Sequence, residues 1–266
     1  MDAQGREAPL LVEDMDEGVR VLTLNRPERL NALTDAVMSA LADAVADAAR
    51  DVAVGCVIVT GAGRGFCAGG DLEEGGSRPE PANPRSGGRI EQSFTRLRSY
   101  VEAARLLHDM AKPTIAMING PVAGAGIGLA GACDLRFAGE SATFLSAFDR
   151  IGAGGDFGST WFWTKILGSG AAREIFLLGE KYDARSALAK GLFTRVFPDE
   201  SLRDSTFEIA RRLANGPRIG YRYMKANLNF AEDGQFEAAL DHEAMNMSLS
   251  TLATAQIRRS AADGAS

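Results

Sequence analysis

Histidine and cysteine are scarce in this chain. Two histidines, His108 and His242, and three cysteines, Cys56, Cys67 and Cys133, are spread over 266 residues, with no metal-ligand spacing among them. A zinc centre is therefore not expected, and no other metal is. Cys56 falls inside an apolar, strand-like run, so free thiols in a cytoplasmic protein are expected rather than a disulfide framework. No apolar stretch approaches the roughly 18 residues of a membrane span. The opening MDAQGREAPLLVED is polar and acidic, unlike a secretory leader. A net charge of −6 argues against the broad basic face that nucleic-acid binding needs. Neither nucleic acid nor membrane is an expected partner. A small anionic ligand stays open, since a local Arg/Lys cluster can act against the global sign.

Glycine, by contrast, is abundant, and it is concentrated. GAGRGFCAGGDL runs from Gly61 to Leu72, and INGPVAGAGIGLA from Ile118 to Ala130. Each follows a short β-like run, VGCVIVT (54–60) and TIAMI (114–118). Glycine permits positive φ and close backbone approach to a ligand. Two such bends at the ends of neighbouring strands can aim main-chain N–H groups at one point, which suits an oxyanion. Structural turns and phosphate loops are the competing readings. GAGRGF has glycines at alternate positions but lacks the dinucleotide-binding setting, and no GK[ST] follows it.

The remaining pattern is α/β. Residues 10–27 read as a hairpin around Asp-Glu-Gly, and Pro27 ends its second strand. Thr34 is placed as an N-cap for an amphipathic helix over 34–50. Residues 73–89 carry no periodicity and are predicted to be a loop. The spacing predicts one helix over 90–110, with Phe94 and Leu97 on its apolar face. Short strands are expected at 134–139 and 142–145. Beyond them the reading is helical: 159–167, 170–178, 183–190, 200–214, 217–230 and 234–249, with a frayed tail. An α/β core followed by helices results.

NRPERLNAL (25–33), the two glycine segments extended to Leu72 and Leu135, and MKANLNFA (224–231) together resemble the crotonase, or enoyl-CoA hydratase/isomerase, superfamily. The likeness runs from about Leu10 to Leu249. It implies a crotonase-like spiral of ββα units over 1–198 and a C-terminal helical trimerisation region over 199–266. It further implies a homotrimer or a dimer of trimers, an acyl-CoA thioester substrate and no separate cofactor, coenzyme A being part of the substrate. By motif position the oxyanion donors would be the N–H groups of Ala68 and Ala125. Coenzyme A contacts would fall on Arg29, Asn31, Leu33, Ala68, Gly69, Gly70, Asp71, Leu72 and Lys225. Phe148 and Trp161 would line the acyl pocket.

The chain departs from that family at two positions. The glutamates with which hydratases of the family hold and activate water would stand at Gly128 and Phe148. Neither residue titrates, so two-carboxylate hydration is not expected. Asp156, in RIGAGGDFGSTWF, remains. Isomerases resembling the ring-opening epoxyphenylacetyl-CoA type carry one functional Asp in this place, and aryl-CoA dehalogenases use it as a nucleophile. An apolar wall from Phe157 and nearby tryptophans would raise its pKa. Asp156 as a turn or helix cap is the competing reading. Asp71 reads as structural, Asp149 as paired with Arg150, Glu73 and Glu74 as surface charges, and His108 as a packed or surface histidine. The function expected is enoyl-CoA isomerisation by one Asp. Enoyl-CoA hydratase and a non-catalytic acyl-CoA-binding protein on the same scaffold are the alternatives.

Overall fold

The computed structural model describes residues 8–73 and 88–263. Most of the 73–89 stretch expected to be a loop therefore lies outside the described residues. Nine strands are described: β1 Leu10–Met15, β2 Val19–Leu24, β3 Cys56–Gly61, β4 Thr114–Ile118, β5 Val122–Ala123, β6 Leu135–Gly139, β7 Thr143–Leu145, β8 Lys181–Asp183 and β9 Arg195–Phe197. The helices are α1 Asp35–Arg50, α2 Arg89–Tyr100, α3 Glu102–Asp109, α4 Ala125–Gly131, α5 Phe148–Ile151, α6 Ser159–Leu167, α7 Ser169–Leu178, α8 Ala184–Ala189, α9 Asp199–Ala214, α10 Arg218–Asp233 and α11 Phe236–Asp263.

One six-stranded sheet runs β1-β2-β3-β4-β6-β9. Only the β1–β2 hairpin is antiparallel; the remaining neighbours are parallel. Parallel strands need coverage on both faces, and their alternation provides it. Leu22, Leu24, Val57, Val59, Ala116 and Ile118 join the larger core with α1, α3 and α4. Val19, Val21, Cys56, Ile58, Ile115 and Met117 face the other way, onto Leu202, Phe207, Ile209 and Ala210 of α9. A boundary at residue 198 would thus cut between the sheet and its cover. A smaller sheet, β5-β7-β8, flanks the site.

Several local expectations hold for stated reasons. The hairpin pairs Leu10 with Leu24 through Met15 with Val19. Thr34 caps α1, its Oγ1 accepting from the Val37 N–H at 3.3 Å. Others need correction. The helix expected over 90–110 breaks at Val101 into α2 and α3, and Phe94 is exposed rather than packed. The region read as mostly helical also contains β8 and β9, three residues each, largely in the gaps between the expected helices. The tail is helical as far as Asp263, continuing α11, and α11 packs against α10. All three cysteines are free and buried, and burial pushes each thiol up to about 12.

Candidate active site

The two glycine-rich segments leave the C-terminal ends of adjacent parallel strands, β3 and β4, and run side by side. The Phe66 and Cys67 N–H groups both donate to Pro121 O, at 3.1 and 3.3 Å, and Ala123 N–H donates to Cys67 O at 2.9 Å. Two asparagines shape the first bend. Asn31 Nδ2 donates to Ala62 O at 2.9 Å and Gly65 O at 2.7 Å, while its Oδ1 accepts from the Arg26 N–H. Asn119 Nδ2 donates to Gly61 O and Gly63 O. The Asn31 side chain is therefore occupied in holding the loop, not offered to coenzyme A.

The main-chain donors differ from expectation in one place. Ala68 N–H already donates to Leu30 O at 2.9 Å, so it cannot hold a thioester oxygen. Next to it, Leu33 N–H donates to Gly69 O at 2.8 Å and Asp71 N–H to Leu33 O at 2.9 Å. In an extended segment alternate amides point to opposite sides. The Gly70 N–H thus turns away from Leu33, and it finds no acceptor among the described residues. Ala125 opens α4, where the first amides have no intrahelical partner, and its N–H also finds no acceptor among those residues. The two bends touch here. A Cβ on Gly69, whose φ is +95°, would lie 3.3 Å from Ala125 N and cover that donor.

Gly70 and Ala125 line a cavity of about 580 Å³ that also takes in Phe148, Ile151 and Asp156. Phe148 stacks on Phe176, ring centroids 5.9 Å apart, and gives the cavity an apolar wall. Asp156 sits between Gly155 and Phe157 in a loop of unusual backbone. Gly155 and Gly158 have φ of +119° and +70°, and Phe157, though bulky and buried, has φ of +49°. Phe157 N–H donates to Asp156 Oδ1 at 2.8 Å. Asp156 Oδ2 has no hydrogen-bond partner among the described residues. Burial raises the Asp156 pKa above the usual carboxylate value, and the Phe157 N–H opposes the rise. Asp156 also starts the turn into α6, since Ser159 N–H donates to its main-chain oxygen at 2.9 Å. The turn-former and cavity-facing readings of this residue thus coexist.

Asp71 lines the same cavity in a different state. Its buried carboxylate meets Arg26 Nη1 at 2.8 Å and Arg29 Nη2 at 3.5 Å. Arg29 is partly exposed beside the cavity and also pairs with Glu73 at 2.7 Å. Leu33, Ala68, Gly69 and Leu72 complete that rim.

Two expected contacts lie elsewhere. The Lys225 ammonium is buried under α10, and its three hydrogens are used. It donates to Leu107 O at 2.9 Å, Lys112 O at 3.2 Å and Asp134 Oδ2 at 2.8 Å. No donor is left for a phosphate. Trp161 lies in a separate recess, its ring edge-on to His108 at 5.3 Å, and is absent from the cavity that Phe148 and Asp156 line. His108 Nε2 stands 3.3 Å from Glu232 Oε2, also away from Asp156. Asp149 is exposed, with its carboxylate beside Gly179, and pairs with no arginine among the described residues.

Sequence reasoning missed Arg26 as the partner of Asp71, Phe176 behind Phe148, and Gly70 as donor. The first two have no local sequence signal. The third has none either, because alternation puts the Ala68 and Gly70 amides on the same side and only pairing with Leu30 and Leu33 tells them apart.

The profile of the enoyl-CoA hydratase/isomerase family matches residues 14–263. The chain is 37% identical over 233 residues to the 1,2-epoxyphenylacetyl-CoA isomerase of Escherichia coli K12, covering 88% of this chain and 87% of the relative. It is 32% identical to a 4-chlorobenzoyl coenzyme A dehalogenase of an Arthrobacter species, covering 87% and 82%. An enoyl-CoA hydratase structure from Mycobacterium smegmatis superposes with a TM-score of 0.80 at 29% identity, covering 91% of each chain. Three named reactions therefore sit at similar distances, and similarity alone does not choose among them.

Proposed function

The chain belongs to the enoyl-CoA hydratase/isomerase family of acyl-CoA enzymes, and we propose that within it the protein is an enoyl-CoA isomerase with Asp156 as its proton carrier. One observation carries this reading. Asp156 lines the cavity with Gly70 and Ala125, one of its carboxylate oxygens has no hydrogen-bond partner among the described residues, and the other carboxylate found there, Asp71, is tied to arginine.

The chemistry balances with one proton out and one proton in. Asp156 Oδ2 removes a proton from C2 of a 3-enoyl thioester. The electron pair moves toward C1, and charge collects on the thioester oxygen, where Gly70 and Ala125 N–H donate. Such a donor contributes about 2.7–4 kcal/mol to the transition state. The C3–C4 double bond shifts to C2–C3 as the protonated Asp156 returns its proton to C4. A carboxyl with a raised pKa exchanges protons more readily near neutrality than an ordinary one. Arg29 and the run Leu33, Gly69, Leu72 support a coenzyme A path along the rim.

The two other family reactions fit less well. Hydration in this family uses carboxylates at the positions of Gly128 and Phe148, and Phe148 is part of an apolar wall. Aryl dehalogenation would pair Asp156 with a histidine base, and His108 is engaged in another recess. A homotrimer, or a dimer of trimers, would cover Met224 and Leu228 of α10 and Phe236, Met245 and Leu252 of α11, all of which are exposed in the single chain.

The test is incubation with 3-hexenoyl-CoA, following formation of the conjugated thioester by absorbance. Conjugation in wild type and its loss in Asp156→Asn are expected. With 2-hexenoyl-CoA offered in parallel, a 3-hydroxyacyl product and no conjugation of the 3-enoyl substrate would favour the hydratase. Tight binding without turnover in both proteins would favour a non-catalytic binder. Unchanged turnover in the variant would remove Asp156 from the mechanism.

A further inference from the structure

Helix α4 joins the two ends of the site. Its first residue, Ala125, presents an N–H to the cavity, and Gly128 follows one turn later in the buried part of the helix. A Cβ at Gly128 would lie 2.7 Å from Phe157 O, 2.8 Å from Asp156 O and 2.8 Å from Phe157 Cβ. Two of these are main-chain atoms, which no rotamer change can move aside. The Asp156–Phe157 backbone therefore rests directly on the bare backbone of α4. Several features press it there. Phe157 is buried, at a φ of +49° that bulky side chains rarely adopt. That same conformation aims its N–H at Asp156 Oδ1. Farther along, Trp163 Nε1 donates to Ile127 O at 3.1 Å and ties α6 to α4.

We propose that Gly128 is the positioning residue that fixes the separation between the Asp156 carboxylate and the thioester-oxygen donor at Ala125, with Phe157 as the wedge that keeps the loop seated on it. This rests on Asp156 being the proton carrier. The absence of a side chain at 128 thus does more than delete an acid. It opens the place in which the loop bearing the remaining acid sits. A carboxylate at 128 and the present seat of Asp156 are mutually exclusive, so the choice between two-acid and one-acid chemistry is made at a single helix position.

The experiment compares Gly128→Ala with Gly131→Ala, using 3-hexenoyl-CoA. Gly131 lies on the same helix, and a Cβ there would meet Phe162 Cβ at 3.0 Å without touching residues 156–157. It therefore controls for general crowding of the core. Displacing the Asp156 loop by a fraction of an ångström is expected to lower kcat by about 10²-fold, with KM little changed because the coenzyme A rim is untouched. The acid limb of the kcat–pH profile should move down, since a loop pushed outward is less buried. Gly131→Ala should leave both kcat and the limb near wild type.

A purely structural role for Gly128 would lower thermal stability and the active fraction, but not the turnover per active site or the limb. That result would overturn the proposal, as would equal effects of the two variants. Should Gly128→Ala fail to fold, Phe157→Gly loosens the same contact while keeping the N–H. It is expected to lower kcat by about tenfold and move the limb the same way, and an unchanged profile would count against the proposal. Activity retained in Asp156→Asn would instead strike the base assignment, a separate failure.

Discussion

Asp71 and Asp156 are the same residue type on the wall of one cavity, yet their surroundings make them opposites. Asp71 is buried against the Arg26 guanidinium, and its charge is answered inside the fold. Among the described residues Asp156 has no cation paired with it, only one main-chain N–H on one oxygen, and burial raises its pKa. The first carboxylate organises the rim; the second is left able to gain and lose a proton. Partners decide which is which, and the residue name does not.

The largest expected effect tests what Asp156 works with. Gly70→Pro removes the N–H proposed to hold the thioester oxygen and should lower kcat by about 10²–10³-fold. Gly70→Ala keeps the amide, and a Cβ there meets nothing within 4 Å. Its kcat should stay within a few-fold of wild type. If the two variants behave alike in steady-state assays, Gly70 is not the donor.

Next comes Asp71→Asn, which should act through folding. Leaving Arg26 without its buried partner should cost about 3 kcal/mol of stability or more, read by denaturant unfolding. Turnover per folded molecule should change little. A large loss of kcat at full folding would instead give Asp71 a part in the chemistry.

The contrast is sharpened by pH. The acid limb of kcat/KM should lie above 3.8, the ordinary value for an aspartate, because burial favours the protonated form of Asp156. The same shift has a sign for stability. A folded-state pKa raised above the unfolded one means the folded protein holds the proton more tightly. Stability from this group is full below the unfolded pKa and is lost as pH rises through the folded pKa. Asp156→Asn should therefore melt higher than wild type at neutral pH, and the gap should close on acidification. Thermal scans at several pH values would show it; a lower melting temperature at neutral pH would contradict it. The smallest effect expected is that of Trp161→Ala, which should leave KM for the acyl thioester unchanged because the ring faces His108 in another recess.

Much of this was legible in the sequence where a repeating physical pattern carried it. The hairpin, α1 and the β3 and β4 strands announced themselves through alternation or helical spacing. The glycine segments did so through their place after strands. Asp156 stood out through the family resemblance, and its apolar and glycine neighbours supported a raised pKa. The failures have equally particular causes. β8 and β9 are three residues each, too short for periodicity to register. Lys225 was read as a phosphate ligand, but its acceptors at Leu107, Lys112 and Asp134 come together only through tertiary folding. Trp161 and Phe162 are neighbours in sequence, yet Trp161 is partly exposed and Phe162 packs into the core. Ala68 was preferred to Gly70 because a motif position does not say which way an amide points. That direction is set by pairing with Leu30 and Leu33, residues nearly forty positions earlier.

That pairing leaves an alternating pattern in the first bend. The amides of Ala68 and Asp71 are tied to Leu30 and Leu33, while that of Gly70, between them, has no acceptor among the described residues, and neither has Ala125 across the gap. In heavy water, Gly70 and Ala125 should take up deuterium faster than Ala68 and Asp71, whose amides are tied. A bound acyl thioester should slow both together. Their joint silencing would report occupancy of the site without any chemical label.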